Sequence, residues 1–208
     1  MFADRVDAGQ ALARRLRGYA GARSTIVLGI PRGGVVVAAE VARALCLPLD
    51  IVVTAKVGAP SNPEYAIGSV GPDGSVLSNA DAGFTNAQVE AAAAPARAKV
   101  AHELATLRGI RPPLELGPTV TAIVVDDGLA TGLTALAAAR FLKQRSAAVV
   151  LAVPVASEQA VRLLEPEVDE LIALDVPPYF GAVGQFYRRF GQTSDDEVRV
   201  LLGEFAPE

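Results

Sequence analysis

The stretch that best indicates the fold is Ala122-Ile123-Val124-Val125-Asp126-Asp127-Gly128-Leu129-Ala130-Thr131-Gly132-Leu133-Thr134. It begins as an apolar strand, continues with two acids, and turns through small and hydroxyl-bearing residues into a helical pattern. Open α/β sheets bind ligands at the carboxyl ends of their strands, so the acids are expected at a ligand site. The backbone N–H groups of the turn and the hydroxyls of Thr131 and Thr134 suit a phosphate dianion.

Two carboxylates next to a phosphate would repel it unless something lies between them. A sugar ring suits that place, because carboxylates accept hydrogen bonds from vicinal hydroxyls. The residues alone therefore favour a site for a ribose 5-phosphate. The alternative is an acid pair that only caps a helix.

The rest of the chain alternates between apolar strands and helical patterns. We expect strands at Thr25–Ile30, Leu49–Thr54, Val120–Val125, Ala147–Val153 and Leu171–Leu174, and a hairpin turn at Gly71–Gly74. We expect helices at Asp4–Tyr19, Val35–Leu45, Asn86–Arg108 (kinked or broken by Pro95), Thr131–Gln144 and Glu158–Leu164. Strands that are apolar throughout indicate a parallel sheet covered on both faces. The predicted fold class is α/β, with a doubly wound, mostly parallel sheet.

The aromatic residues are concentrated near the C-terminus. Five of the eleven (Tyr179, Phe180, Phe186, Tyr187 and Phe190) fall within residues 179–190. We interpret the segment that follows the last strand as a small hood over the sheet. The predicted organisation is a core at 1–176 and a hood with its tail at 177–208, together one domain.

Composition excludes several classes of partner. The formal net charge is −4 with no dense Lys/Arg stripe, which argues against nucleic acid. No run of about 18 uncharged apolar residues is present, which argues against a membrane span. One His and one Cys cannot build a zinc site. The single Cys46, expected to be buried, fits a reducing cytoplasm.

The 126–134 segment resembles the phosphoribosyl pyrophosphate-binding motif of the type I phosphoribosyltransferases. The resemblance extends over nearly the whole chain, from Phe2 to Val198, and is strongest to a broad group of bacterial phosphoribosyltransferases. It implies that Asp126 and Asp127 hold the ribose 2′ and 3′ hydroxyls. It also implies that Leu129 to Thr134, after Gly128, wrap the 5-phosphate.

Two further segments resemble parts of the same family. Gly29 to Gly34, with Arg32, Gly33 and Gly34, resembles the short pyrophosphate loop, although a Gly-Gly turn is also common without function. Lys56 resembles the basic residue directed at pyrophosphate. Many relatives have Arg-Lys there, whereas this chain has Ala55-Lys56.

The resemblance places the base site in two other regions. Gly58 to Tyr65 lies where the family has a flexible active-site loop, although an ordinary surface loop has the same composition. Glu64 is the only carboxylate in that segment, and we expect it to approach the nucleobase as a catalytic residue. One of Tyr179, Phe180 and Tyr187 is expected to touch the base, the alternative being that these rings only anchor the hood. Ala130 replaces the Asp of hypoxanthine/guanine-type relatives, which disfavours a 6-oxopurine and leaves the base open.

The implied reaction transfers ribose 5-phosphate from phosphoribosyl pyrophosphate to a nucleobase and releases pyrophosphate. Mg²⁺ would accompany the substrate, held by the pyrophosphate, the ribose hydroxyls and, directly or through water, Asp126 and Asp127. The resemblance further implies a cytoplasmic homodimer in nucleotide metabolism. One alternative is a non-catalytic regulator that senses phosphoribosyl pyrophosphate or nucleotides. The excess of acidic residues and the single-domain length argue against it. A phosphohydrolase has no nucleophile or metal cluster in its support.

Overall fold

The computed structural model describes residues 1–79, 82–109, 111–112 and 116–205, with the side chain of Glu64 outside that description. The strands are β1 (Thr25–Gly29), β2 (Leu49–Ile51), β3 (Ala55–Ala59), β4 (Asn62–Val70), β5 (Val76–Ser78), β6 (Thr121–Val125), β7 (Ala148–Val155) and β8 (Glu170–Asp175). The helices are α1 (Arg5–Arg15), α2 (Gly33–Leu45), α3 (Asn86–Ala92), α4 (Ala94–Arg108), α5 (Leu133–Lys143), α6 (Glu158–Leu164) and α7 (Asp195–Gly203).

A five-stranded parallel sheet in the order β2-β1-β6-β7-β8 forms the centre of the described fold. Alternate residues of its strands enter two separate apolar clusters. Val27 and Ile123 pack with α1 and α2 on one face, whereas Leu28 and Val124 pack with α5 and α6 on the other. The prediction of a doubly wound α/β sheet is confirmed. The chain leaves β1 toward β2 and leaves β6 toward β7, so a crevice opens between the carboxyl ends of β1 and β6.

Most of the predicted helices begin and end close to their predicted positions, but α1 ends at Arg15 instead of Tyr19, and α7 was not predicted. Asp4 caps α1 by accepting a hydrogen bond from the N–H of Asp7. The long Ala-rich helix is broken at Ala93, and Pro95 lies in the first turn of α4, as predicted. The prediction for Cys46 was wrong: it ends α2 in a left-handed conformation with φ of 53°, and it is exposed.

A second, antiparallel sheet of β3, β4 and β5 was only partly predicted. The hairpin turn at Gly71–Gly74 is confirmed between β4 and β5. The predicted strand to Thr54 ends at Ile51 instead, and the Gly58–Tyr65 loop is part of a β3–β4 hairpin. β3 forms as a strand because its side chains alternate between buried and exposed. Val57 is buried with α3 and α4 nearby, while Lys56 is exposed.

The C-terminal part crosses back over the start of the chain. After β8 comes the hood (residues 177–191), and then α7, whose Val198 and Leu202 join the apolar cluster of α1 and α2. Phe2 donates its N–H to the carbonyl of Phe186 at 2.8 Å and pairs as an isolated bridge with Tyr187. None of the described helices is both long and apolar enough to cross a membrane.

Candidate active site

The acid pair and the predicted pyrophosphate loop meet at the crevice between β1 and β6. The loop leaves β1, and the N–H of Ile30 donates to the carbonyl of Val125 at 2.9 Å. A Cβ on Gly33 would lie 1.9 Å from Asp127 Oδ2, and one on Gly34 would lie 2.8 Å from Asp126 Cα. Two segments that are far apart in sequence therefore touch, and only glycine leaves room for the contact.

The two acids have different surroundings. Asp126 Oδ1 accepts the backbone N–H of Asp127 at 2.8 Å. Burial, followed by the negative charge of Asp127, raises the pKa of Asp126 well above its ordinary value. Asp127 Oδ2 accepts a hydrogen bond from Arg5 Nε at 2.7 Å, and both side chains are mostly buried. Among the described residues, Arg5 is thus the cation that pairs with these acids, and it pairs with the second.

Sequence reasoning missed Arg5. It is the first residue of α1, 122 positions away from its partner Asp127. An arginine at the start of an amphipathic helix is common, so nothing in its local sequence distinguishes it from a surface residue. The fold brings it to the site because the N-terminal segment pairs with the hood.

The predicted phosphate loop is anchored to the end of β7. The N–H of Leu129 donates to the carbonyl of Val155, and the hydroxyl of Ser157 donates to the carbonyl of Ala130 at 2.6 Å. Gly132 has φ of 76°, a conformation that glycine adopts readily. The helix begins at Leu133 rather than at the predicted Thr131, without a side-chain cap, so its first-turn N–H groups have no intrahelical acceptor.

A cavity of about 370 Å³ adjoins this loop. Thr131, Leu133 and Thr134 line it from one side, and Lys56 on β3 lines it from another. The structure therefore brings Lys56 to the phosphate loop, although Lys56 lies on the second sheet and not at the end of β2. Two hydroxyls and a cation that line one cavity suit an anionic ligand.

Arg32 lines a different cavity from Lys56. Its Nε donates to Oδ1 of Asp195, which lies in the first turn of α7, at 2.5 Å. Arg32 also lines a second cavity of about 370 Å³ together with Arg5 and Gly33. The two predicted pyrophosphate cations therefore border different cavities in this structure.

The three hood aromatics have unequal positions. Tyr187 is buried, donates its hydroxyl to the carbonyl of Asp127 at 2.5 Å, and packs between the rings of Phe2 and Phe190. Burial, and then the charge of Asp127, raises the pKa of Tyr187, which keeps the hydroxyl protonated. Phe180 packs on Phe186, and Tyr179 is 90% exposed. Tyr187 has the contacts of an anchor, whereas Tyr179 is open to a ligand.

The described residues offer no cluster of three or more His, Cys, Asp or Glu side chains that could enclose a metal ion. Asp126 and Asp127 are nevertheless two carboxylates at one crevice. Mg²⁺ commonly takes one or two protein carboxylates and completes its shell with phosphate oxygens and water. The acid pair therefore fits a magnesium ion that arrives with a phosphorylated substrate.

Comparison with known proteins identifies the family of the chain. The family model described as "Phosphoribosyl transferase domain" matches residues 3–172. Two proteins of Mycobacterium tuberculosis are each 42% identical over 208 residues: "Putative phosphoribosyl transferase Rv0571c" of strain H37Rv and "Putative phosphoribosyl transferase MT0597" of strain CDC 1551. The matches cover 97% of this chain but 46% of those proteins, so the chain spans about half the length of these curated relatives.

A solved structure matches the whole chain. TT1426 from Thermus thermophilus is 41% identical, aligns over 100% of both chains and superposes with a TM-score of 0.91. The fold described above is thus shared with that protein from end to end. With a family model over most of its length and relatives at this level of identity, the chain belongs to the phosphoribosyl transferase family.

Proposed function

We propose that the protein transfers ribose 5-phosphate from phosphoribosyl pyrophosphate to a nucleobase and releases pyrophosphate. The observation that carries the proposal is the direct contact between the acid pair and the glycine loop that follows β1. One loop offers acceptors for sugar hydroxyls, and the other offers backbone donors and Arg32 for a pyrophosphate. Their contact supports a single ligand that bears both groups.

Asp126 and Asp127 act in this proposal as acceptors for the two ribose hydroxyls. Both follow β6 at the crevice, where each carboxyl group can accept a hydrogen bond from a ribose hydroxyl. The loop from Leu129 to Thr134 receives the 5-phosphate through its backbone N–H groups and its two hydroxyls. This arrangement fixes the sugar at both ends and so orients its anomeric carbon.

The bond that breaks joins the anomeric carbon to a pyrophosphate oxygen, and the bond that forms joins the same carbon to a ring nitrogen of the base. Negative charge grows on the departing pyrophosphate, so cations placed near it stabilise the transition state. Arg32 can serve once it leaves Asp195. That ion pair is partly solvent-exposed, and such pairs contribute only about 0–1 kcal/mol, so an arriving pyrophosphate can displace the carboxylate.

Magnesium belongs to the proposal as a substrate-bound ion. When bound, it would supply positive charge to the leaving pyrophosphate. Asp126 and Asp127 would hold it, directly or through water. Dependence of the reaction rate on Mg²⁺, abolished by a chelator and restored by added Mg²⁺, tests this part.

The nucleobase is the least defined part of the proposal. Ala130 lies in the phosphate loop, where hypoxanthine/guanine-type relatives have an acid, and this favours a base other than a 6-oxopurine. Tyr179 and Phe180 are the hood rings that can still receive a base. Glu64 is a further proposed contact; unchanged turnover and base KM in Glu64→Gln would contradict it.

The experiment that tests the function is a panel of purine and pyrimidine bases incubated with phosphoribosyl pyrophosphate and Mg²⁺, with pyrophosphate release as the signal. We expect release with at least one base, and a loss on the order of a hundredfold or more in Asp127→Asn. Binding of phosphoribosyl pyrophosphate without turnover on any base would identify a sensor instead. Catalysis in a cytoplasmic homodimer of nucleotide metabolism is proposed on the family resemblance, and sedimentation tests the dimer.

A further inference from the structure

Arg5 makes three contacts that fix its guanidinium in one place. Its Nε donates to Asp127 Oδ2 at 2.7 Å, and its Nη1 donates to the carbonyl of Gly191 at 2.8 Å. Its Cζ lies 3.9 Å from the centroid of the Phe190 ring. The planar group is therefore held by the hood on one side and offered to the acid on the other.

Asp127 is held at its other end as well. Tyr187 donates its hydroxyl to the backbone carbonyl of Asp127 at 2.5 Å, and the ring of Tyr187 packs 5.0 Å from that of Phe190. We call Arg5, Tyr187, Phe190 and Gly191 the Asp127 clamp. Its members come from the first residue of α1 and from the hood, and none belongs to the loops that bind substrate in the proposed function.

The contact between Arg5 and Asp127 determines which oxygen is available. The terminal torsion of an aspartate side chain is broad, so an unsupported carboxylate samples many orientations. Arg5 Nε occupies Oδ2 and leaves Oδ1 outside that bond. Gly33 packs directly against this hydrogen bond, because a Cβ there would lie 2.7 Å from Arg5 Nε.

We propose that Arg5 is a positioning residue: through the Asp127 clamp it orients the Asp127 carboxylate so that a ribose hydroxyl can be accepted. The inference rests on the proposed function, because it assumes that Asp127 receives the sugar. It assigns the N-terminal helix and the hood a part in ribose binding. Arg5 itself does not touch the reacting atoms.

A different role for Arg5 has to be distinguished from this one. Arg5 and Arg32 line the same cavity, so Arg5 could instead bind the pyrophosphate directly. Loss of a positioning residue weakens the binding of molecules that have the ribose hydroxyls. Loss of a residue that contacts pyrophosphate directly weakens the binding of inorganic pyrophosphate as much as that of phosphoribosyl pyrophosphate.

The test compares Arg5→Gln, Arg5→Lys and the control Arg15→Gln, which removes the same charge from an exposed position on the same helix. Titration calorimetry with Mg²⁺ gives the Kd of phosphoribosyl pyrophosphate and of inorganic pyrophosphate for each protein. We expect Arg5→Gln to raise the Kd of phosphoribosyl pyrophosphate by about ten- to a hundredfold, since misplacement by about 1 Å has effects of that size. The same variant should raise the Kd of inorganic pyrophosphate by about threefold or less. Arg15→Gln should bind both ligands with wild-type affinity.

Arg5→Lys keeps the charge but loses the planar fork, so it should bind phosphoribosyl pyrophosphate more weakly than wild type and better than Arg5→Gln. Because this variant keeps a cation beside Asp127, it remains informative if Arg5→Gln fails to fold. Equal losses for both ligands, or wild-type affinity in both variants, would overturn the inference alone. No binding of phosphoribosyl pyrophosphate by the wild-type protein would overturn the proposed function, and the inference with it.

Discussion

Replacing Gly33 by alanine probes the contact on which the site depends. The added Cβ would lie 1.9 Å from Asp127 Oδ2 and 2.7 Å from Arg5 Nε. To reach a tolerable separation of 3.4 Å, the carboxylate and the loop must part by about 1.5 Å, a distance that breaks the hydrogen bond between Arg5 and Asp127. The methyl group therefore acts on the orientation of Asp127 and on the path of the pyrophosphate loop together.

The expected magnitudes follow from that displacement. Overfilling a packed site costs about 1–3 kcal/mol of the free energy of unfolding. A shift of this size at a positioning group should weaken the binding of phosphoribosyl pyrophosphate by about ten- to a hundredfold. Gly34→Ala should unfold more easily than Gly33→Ala, because its Cβ meets backbone atoms of Val125 and Asp126 at 2.8 Å rather than side-chain ends.

Urea unfolding and calorimetric titration of phosphoribosyl pyrophosphate measure the two effects separately. Gly18→Ala is the matched control, since no heavy atom outside the adjoining backbone lies within 4 Å of its added Cβ. It should change stability by about 0.5 kcal/mol or less and leave the affinity unchanged. If Gly33→Ala bound phosphoribosyl pyrophosphate with wild-type affinity, the argument that the two loops share one ligand would be refuted.

Three further predictions concern the acid pair and its supports. The pKa of Asp126 is raised above 3.8, so from about pH 4 upward the folded protein retains a proton that the unfolded chain has released, and stability falls as pH rises through that window. Asp126→Asn lacks this loss of stability. The melting temperature of the variant minus that of the wild type, both without ligand, should therefore be larger at pH 8 than at about pH 4.5. Asp50→Ala leaves Arg108 buried without its carboxylate, and urea unfolding should show a loss of about 3–5 kcal/mol. Tyr187→Phe removes the hydrogen bond to the carbonyl of Asp127, and the same assay should show a loss of about 1–3 kcal/mol.

Each of these has a control or a contradicting outcome. Parallel pH–stability curves for the wild type and Asp126→Asn would show that Asp126 titrates normally. Arg162→Ala breaks an exposed ion pair and should lose about 1 kcal/mol or less, so a similar value for Asp50→Ala would contradict the importance of burial. A Tyr187→Phe protein as stable as the wild type would mean that the hydroxyl contributes no net stability.

The sequence allowed the central sheet to be predicted because its strands are apolar on both faces and its turns contain glycine. β6 and the acids after it illustrate this: the apolar run and the motif are both local, and the structure places them at the switch point of the sheet. The second sheet was harder, since β3 alternates buried Val57 with exposed Lys56 within only five residues. Short alternating segments next to Gly and Pro are predicted as loops as readily as strands.

The site was predictable only where its residues carry a motif. Gly33 and Asp127 were each found in a recognisable loop, but their contact depends on how two distant segments pack. Arg5 carries no local signal, and the anchoring contacts of Tyr187 depend on the return of the hood to the N-terminus. Long-range pairing of this kind is set by tertiary packing, which no single stretch of sequence encodes.

The pairing of the N-terminal segment with the hood bears on the order of folding. Arg5 and Gly191 are 186 residues apart, so their contact closes one of the largest loops that this chain can form. The entropy of closing a loop grows with its length, and contacts of high sequence separation tend to form late. In the proposed function, the orientation of Asp127 for ribose therefore depends on one of the contacts that are expected to form late in folding.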